Sequence, residues 1–238
     1  VLFSIAGLAT QIFISDNKKK KYFLLDAGDG TTRDIVTEKI SYSDIIGIAL
    51  SHGHYDHCSG LFSLLGFFRM LGREKAFHII YPENSIEIKE IINLFTRCYP
   101  ETIPFPIERH PIPSENSSRI KIDSFTIIPV NVLHYGSTMK YGTGSRIPAL
   151  GYKITLDNVI ISYSGDTGPT NSLEELFDKN VDLALIEGTH PDSNWIKDKE
   201  KRYHLTHQEA ISFTSECKEK KIIHTLHESV VKHNSTNN

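Results

Sequence analysis

"ALSHGHYDHCSG" (residues 49–60) sets three histidines and an aspartate within the six positions 52–57. The apolar run Ile45–Leu50 before it has the length and branching of a buried strand, and "GLFSLLGFFRMLG" (60–72) after it suits a mostly buried helix. The cluster therefore sits on a strand-to-helix loop, where side chains can converge on one point. His52 and His54 alternate along an extended segment and can point the same way. Asp56 and His57 come one turn later and can face a second point. Imidazole nitrogens with a carboxylate oxygen suit zinc or a similar first-row ion. A lone histidine reads as a solvated loop residue; four ligand-type residues in succession behind a buried strand do not.

Further ligand-type residues end other apolar runs. His134 closes "VNVLH", Asp166 lies in "SYSGDT", and His227 closes "IIHTLH". With the opening cluster they make five histidines and two aspartates. Two ions bridged by a carboxylate and a hydroxide need about that many protein ligands while keeping open positions. A structural zinc staple would stop at four.

The rest of the chain frames this inventory. "TQIFISDNKKKKYFLLDAGDGT" (10–31) reads as two strands around a turn at Asp16-Asn17. "DIVTEKI" (34–40) reads as a short helix, "AFHIIYP" (76–82) as a strand and "SIEIKEIINLFTRCY" (85–99) as an amphipathic helix. Proline-rich residues 100–118 read as irregular. Strands are expected in 125–134, 149–156, 158–166, 181–190 and 221–229, and helices in 172–180 and 206–220. The two halves each run from strands into helices, which suggests two sheets packed together with helices outside.

Composition is that of an ordinary globular chain: 238 residues, 39% hydrophobic, 23% charged, net charge -3. That charge argues against a nucleic-acid binder that uses its whole surface. The basic runs Lys18–Lys21 and "KDKEKR" (197–202) read as solvated turns. No apolar run is long enough to cross a bilayer, so no membrane partner is expected. "VLFSIAGLAT" lacks a basic leader, and Cys58, Cys98 and Cys217 are odd in number and unpatterned, which fits a reduced, cytoplasmic setting.

"HGHYDH" (52–57) matches the HxHxDH motif of the metallo-β-lactamase superfamily, and Asp26, His134, Asp166 and His227 fall in that superfamily's order. Within it the chain resembles the ribonuclease Z branch: "LLDAGDGTTRDI", "IPALGYKI", "LIEGTH", "HLTHQEA" and "LHES" are similar to that branch's segments. The resemblance implies an α+β (αββα) sandwich, two mixed β-sheets packed together with helices on both outer faces, over residues 1–238 as one domain. It implies two divalent metal ions, zinc first with manganese or iron as alternatives. His52, His54 and His134 would bind one, Asp56, His57 and His227 the other, and Asp166 would bridge. Asp26 would orient His52 or a neighbour from behind.

The activity implied is phosphodiester hydrolysis by a metal-bridging hydroxide. Asp56 would accept the nucleophile's proton, and His204, held by Glu187, would protonate the leaving oxygen. Ile186 stands where the branch often has a histidine. Ribonuclease Z enzymes often grip transfer RNA with a long arm inserted between the third metal histidine and the bridging aspartate, and residues 135–165 leave no room for one. The substrate is thus an RNA or a small nucleotide phosphodiester. The alternatives are a cyclic-nucleotide phosphodiesterase or a lactone or thioester hydrolase on the same centre, and, less favoured, a metal-holding protein without catalysis. The resemblance also admits a homodimer.

Remaining residues carry less. His224 falls on the opposite pleat face from His227 in a regular strand and reads as structural. His78, His110, His190, His207 and His233 have no motif support. Cys58 reads as a small buried thiol, and "KYGTGSR" (140–146) as a hairpin loop whose Ser145 or Arg146 could touch a phosphate.

Overall fold

Leu24 packs outward under helices while its neighbours Phe23 and Leu25 pack inward against a second sheet. Ile79 and Ile80 divide in the same way. This two-residue period on strands that are apolar throughout marks a sheet buried on both faces. A computed structural model of the chain describes residues 3–114, 118–138, 142–191 and 202–225.

The first sheet contains β1 (Phe3–Ile5), β2 (Ala9–Asp16), β3 (Lys21–Leu25), β4 (Ile45–Ala49), β5 (Phe77–Pro82) and β6 (Ile107–Ile112), in that spatial order. The pairs β1–β2 and β2–β3 are antiparallel and the others parallel. The second sheet involves β7 (Ile120–Ile122), β8 (Phe125–Asn131), β11 (Leu150–Leu156), β12 (Val159–Tyr163), β13 (Leu183–Glu187) and β14 (Glu219–Ile223), in the order β14-β13-β12-β11-β8-β7. It too is mixed, with β12, β13 and β14 parallel. A separate hairpin joins β9 (His134–Thr138) to β10 (Gly142–Ile147).

Helices α1 (Thr31–Thr37), α3 (Gly60–Met70) and α4 (Ile86–Cys98) cover the first sheet through Ile35, Leu61, Leu65, Ile88 and Ile92. Helices α5 (Ser172–Leu176) and α6 (His207–Phe213) cover the second through Leu173, Leu176 and Ala210. The short α2 (Tyr55–Cys58) lies on the cluster loop. The layers are αββα, as the resemblance implied. No helix among the described residues is long and apolar enough to cross a membrane.

Several local expectations change. Residues 100–118 are not wholly irregular, because β6 forms there as an edge strand, where Pro111 has no outer partner to fail. Helix α1 begins at Thr31 rather than residue 34, because Gly30 at φ 80 turns the chain directly into it. Helix α6 opens on a capping box between Thr206 and Glu209 and stops at Phe213, which frees residues 219–223 for β14. Residues 142–146 belong to β10 rather than to a loop. His227, His233 and most of the 197–202 run lie outside the described residues.

Candidate metal centre

Strand β4 ends at Ala49, and the chain then delivers Ser51, His52 and His54 before α2 presents Asp56 and His57. His134 enters at the start of β9, and Asp166 follows the end of β12. Among the described residues, four groups of three have ligand atoms within 4.8 Å of one another: His52–His54–His134, His52–His57–Asp166, Asp56–His57–His224 and Asp166–Glu187–His204. In the last, His204 and Glu187 already satisfy each other through a 2.8 Å hydrogen bond. In the first, His134 Nε2 lies 3.1 Å from His54 Nδ1.

His224 is the unexpected member. Strand β14 stops at Ile223, and His224 takes the left-handed φ of 54. That turn swings its ring out of the pleat and over the site. Nδ1 lies 3.0 Å from the Thr10 hydroxyl, and Nε2 lies 3.0 Å from Asp166 Oδ2 and 3.8 Å from Asp56 Oδ2. The structural reading of His224 is thereby corrected to the extent that its ring stands among the candidate ligands Asp56 and His57, while His227 lies outside the described residues.

Asp26 sits behind the site at φ 56, a conformation aspartate tolerates better than most residues. It is fully buried and accepts four hydrogen bonds: from Ser51 N at 2.6 Å, Ser51 Oγ at 2.7 Å, His57 Nδ1 at 2.7 Å and Tyr163 OH at 2.5 Å. Its direct partner is thus His57, and Ser51 Oγ, 3.0 Å from His52 Nδ1, relays it to His52. Both rings turn Nε2 toward the centre. His134 is aimed the same way by a 2.9 Å hydrogen bond from Nδ1 to the Tyr203 carbonyl. Asp56 Oδ2 accepts from the Gly7 amide at 2.9 Å. Ser51, Tyr163, Gly7 and Thr10 were not singled out by sequence reasoning. Only Ser51 carried a local signal, since it directly precedes the cluster.

Tight chain crossings hold these pieces. A Cβ on Gly28 would meet the Asp56 carbonyl at 2.3 Å, and one on Gly165, at φ +58, would meet Ser51 Cβ at 2.6 Å. Neither position has room for a side chain.

The donor set fits divalent cations. His52 Nε2, His57 Nε2 and Asp166 Oδ1 are buried with no hydrogen-bond partner. Three such orphans at one point would cost about 1–3 kcal/mol each, and a cation there would satisfy all three. Burial pushes His52 and His134 well below the ordinary imidazole range and lowers His54 as well, so these rings are neutral with lone pairs available. Burial also opposes charge on His57, but Asp166 and Asp26 outweigh it and hold that ring well above its ordinary range. Burial works against ionised Asp166 too, yet His224 and His57 keep its carboxyl well below the usual carboxylate range.

These shifts set the acid response of the metal-free protein. The pKa values of His52 and His134 are depressed on folding, so the unfolded chain binds more protons below its pKa of about 6.5. His57 and His204, whose values are raised, oppose this above about pH 6.5 but are protonated in both states well below it and contribute no slope there. The Tm of metal-free protein should therefore fall as pH drops from about 6 toward 5. A flat or rising Tm across that window in a thermal scan contradicts the assignment of neutral buried rings.

Beside the ligands lies a second device. His204 Nδ1 bonds Glu187 Oε1 at 2.8 Å and lies 3.2 Å from the Thr189 hydroxyl. The fully buried Glu187 is pinned by the amides of Thr167 at 2.9 Å and Thr189 at 3.0 Å. Burial opposes charge on His204, but Glu187 raises its pKa, with Asp166 and Asp56 adding to the effect. The ring reaches Asp166 Oδ2 at 3.8 Å.

A family model described as the beta-lactamase superfamily domain matches residues 21–225. The chain belongs to the beta-lactamase superfamily. It is 26% identical over 229 residues to a ribonuclease Z of Methanococcus maripaludis, spanning 80% of this chain and 72% of that protein. It is 27% identical over 135 residues to a ribonuclease Z of Porphyromonas gingivalis, spanning 56% of this chain but only 40% of that one. The chain thus covers two fifths of that relative's length. The crystal structure of short-form human tRNase Z superposes with a TM-score of 0.76 at 17% identity, covering 96% of this chain and 92% of that one. The sandwich is the metallo-β-lactamase fold.

In this superfamily member the basic run Lys18–Lys21 lies far from the centre. Strand β2 carries Thr10 at the site and ends at Asp16 beside the run, so ~20 Å separates them. Lys18 and Lys19 there pair with Asp157 and Asp123. His78 and His110 are 3.0 Å apart, on β5 and β6 respectively.

The cysteines divide by burial. Cys58 donates to the Gly53 carbonyl at 3.3 Å, and burial pushes its thiol up to about 12. Cys217 is also buried, whereas Cys98 is exposed. An aromatic disulfide reagent at pH 8 should titrate one thiol in the folded protein and three after unfolding. Two or more fast-reacting thiols in the folded protein would contradict this packing.

Proposed function

We propose that this chain is a metal-dependent phosphodiesterase of the ribonuclease Z type. One observation carries the reading: Asp166 lies 3.4 Å from His57, 3.0 Å from His224 and 4.0 Å from His134, and His204, paired with Glu187, stands 3.8 Å from it. Under this reading His52, His54 and His134 would hold one divalent ion and Asp56, His57 and His224 the other, with Asp166 placed between the two groups. Five imidazoles and two carboxylates suit zinc, with manganese or iron as the alternatives.

Bound there, the ions supply Lewis acidity that activates water near neutral pH and neutralises charge on a phosphoryl oxygen. The chain's own residues do the rest. Asp56, its carboxylate fixed by the Gly7 amide, accepts the proton released by the attacking water. His204 gives a proton from Nε2 to the leaving oxygen as the phosphorus–oxygen bond breaks. Glu187 keeps that ring protonated and aimed, since Nδ1 is tied to it. Asp26 fixes the ring of His57.

A small nucleotide diester is favoured over a folded RNA. Residues 135–165 form the β9–β10 hairpin and β11 and β12 rather than an arm, and Lys18 and Lys19 are paired at the far end. The test is turnover of bis(p-nitrophenyl) phosphate with Zn²⁺ or Mn²⁺, followed by a precursor transfer RNA and a cyclic dinucleotide. Absence of any phosphodiesterase turnover by protein holding two ions would sink the proposal. His204→Ala should lower kcat by about 10²- to 10⁴-fold with metal content unchanged. Metal loss equal to that of His54→Ala would remove His204 from the donor role.

A further inference from the structure

We propose that Tyr55 is a stacking surface for a nucleobase at the rim of the metal centre. The inference rests on the phosphodiesterase reading and names a part of the substrate. Tyr55 stands in sequence between two proposed ligands, His54 and Asp56, at the start of α2. Its hydroxyl donates to the Gly7 carbonyl, and the amide of the same Gly7 donates to Asp56 Oδ2 at 2.9 Å. One residue of the β1–β2 turn thus holds both the tyrosine and the carboxylate beside it.

The polar end of Tyr55 is therefore occupied, and what it offers solvent is ring. The residue is 62% exposed, and Leu8, next to Gly7, is 48% exposed. A buried packing role does not account for a tyrosine this open. Its ring is held at two points, by the helix backbone and by the hydroxyl, so little freedom remains to be lost when a flat group stacks on it. A ring in that position lies within one nucleotide's reach of Asp56. Every base has a π-face, so such a platform favours nucleotides over aliphatic phosphoesters without selecting one base. The Lys18–Lys21 run, at the far end of β2, offers no competing grip near Tyr55.

Calorimetry on the metal-loaded protein tests this apart from turnover, using adenosine 5′-monophosphate and ribose 5-phosphate as ligands. Both carry the phosphate and the sugar, and only the first carries a base. Wild type should bind the nucleotide more tightly. Tyr55→Ala should cut that advantage by about tenfold, the order expected for one base on one aromatic ring. Tyr55→Leu, which keeps apolar bulk without a π-face, should cut it similarly, and Tyr55→Trp should preserve it. Equal weakening of both ligands by Tyr55→Ala, or no change in either, overturns the proposal. Loss of the phosphodiesterase reading would show separately, as absent turnover of bis(p-nitrophenyl) phosphate by wild type.

Discussion

Asp166→Ala should lower kcat/KM by about 10³-fold or more, because it removes a carboxylate that reaches both halves of the centre. Asp166 Oδ1 lies 3.4 Å from His57 Nε2, and Oδ2 lies 3.0 Å from His224 Nε2 and 4.0 Å from His134 Nε2. Without it, two groups of imidazoles face each other with no shared anion between them. Metal content measured by plasma mass spectrometry should drop from two ions per chain to one or none. Asp166→Asn separates charge from shape, since the amide fills the same space without a negative charge. It should retain the fold but still lose most of the activity. Full metal content and near-wild-type turnover in Asp166→Asn would show that the ions are not bridged there.

Most of this centre was legible because a strand-loop-helix junction makes linear spacing equivalent to spatial convergence. His52, His54, Asp56 and His57 needed only the assignments of β4 and α3 on either side. His134 and Asp166 were legible as polar residues that end apolar runs, and His204 with Glu187 through resemblance. His224 was not, and the reason is conformational. A pleat argument presumes a regular strand, and the chain leaves β14 one residue too early, at a positive φ that nothing in "KIIHTLH" announces. The role of Asp26 was legible only in outline, because its partners Ser51, His57 and Tyr163 come from the loop after β4, from helix α2 and from strand β12 of the second sheet. Among strands, β1 and β7 escaped notice at three residues each, too short for a two-residue period to register. Both lie at sheet edges, where pairing with a neighbour, not local pattern, makes the strand.

Asp26→Ala should be the most destabilising substitution near the centre, costing about 3–5 kcal/mol. The carboxylate is wholly buried, and its four donors lose their acceptor together. Tyr163 and His57 cannot turn to water, since both are themselves buried. Their hydroxyl and imidazole N–H groups would remain unpaired in a low-dielectric interior. For a chain of this size that cost lowers Tm by about 10 °C. Tyr163→Phe provides the calibration: it deletes one donor and leaves the carboxylate with three, so it should cost about 1 kcal/mol. The gap between the two variants measures how much of the stability belongs to the carboxylate. Function should suffer separately from stability. His57 loses the partner of Nδ1 and with it the ring orientation that points Nε2 into the centre, so metal affinity should fall by about 10- to 100-fold even where the protein is folded. Chemical denaturation gives the first quantity, and metal competition with a chromogenic chelator gives the second. If Asp26→Ala unfolds no more readily than Tyr163→Phe, the carboxylate is not the anchor described here. If affinity is unchanged in folded Asp26→Ala, His57 holds its orientation by packing alone.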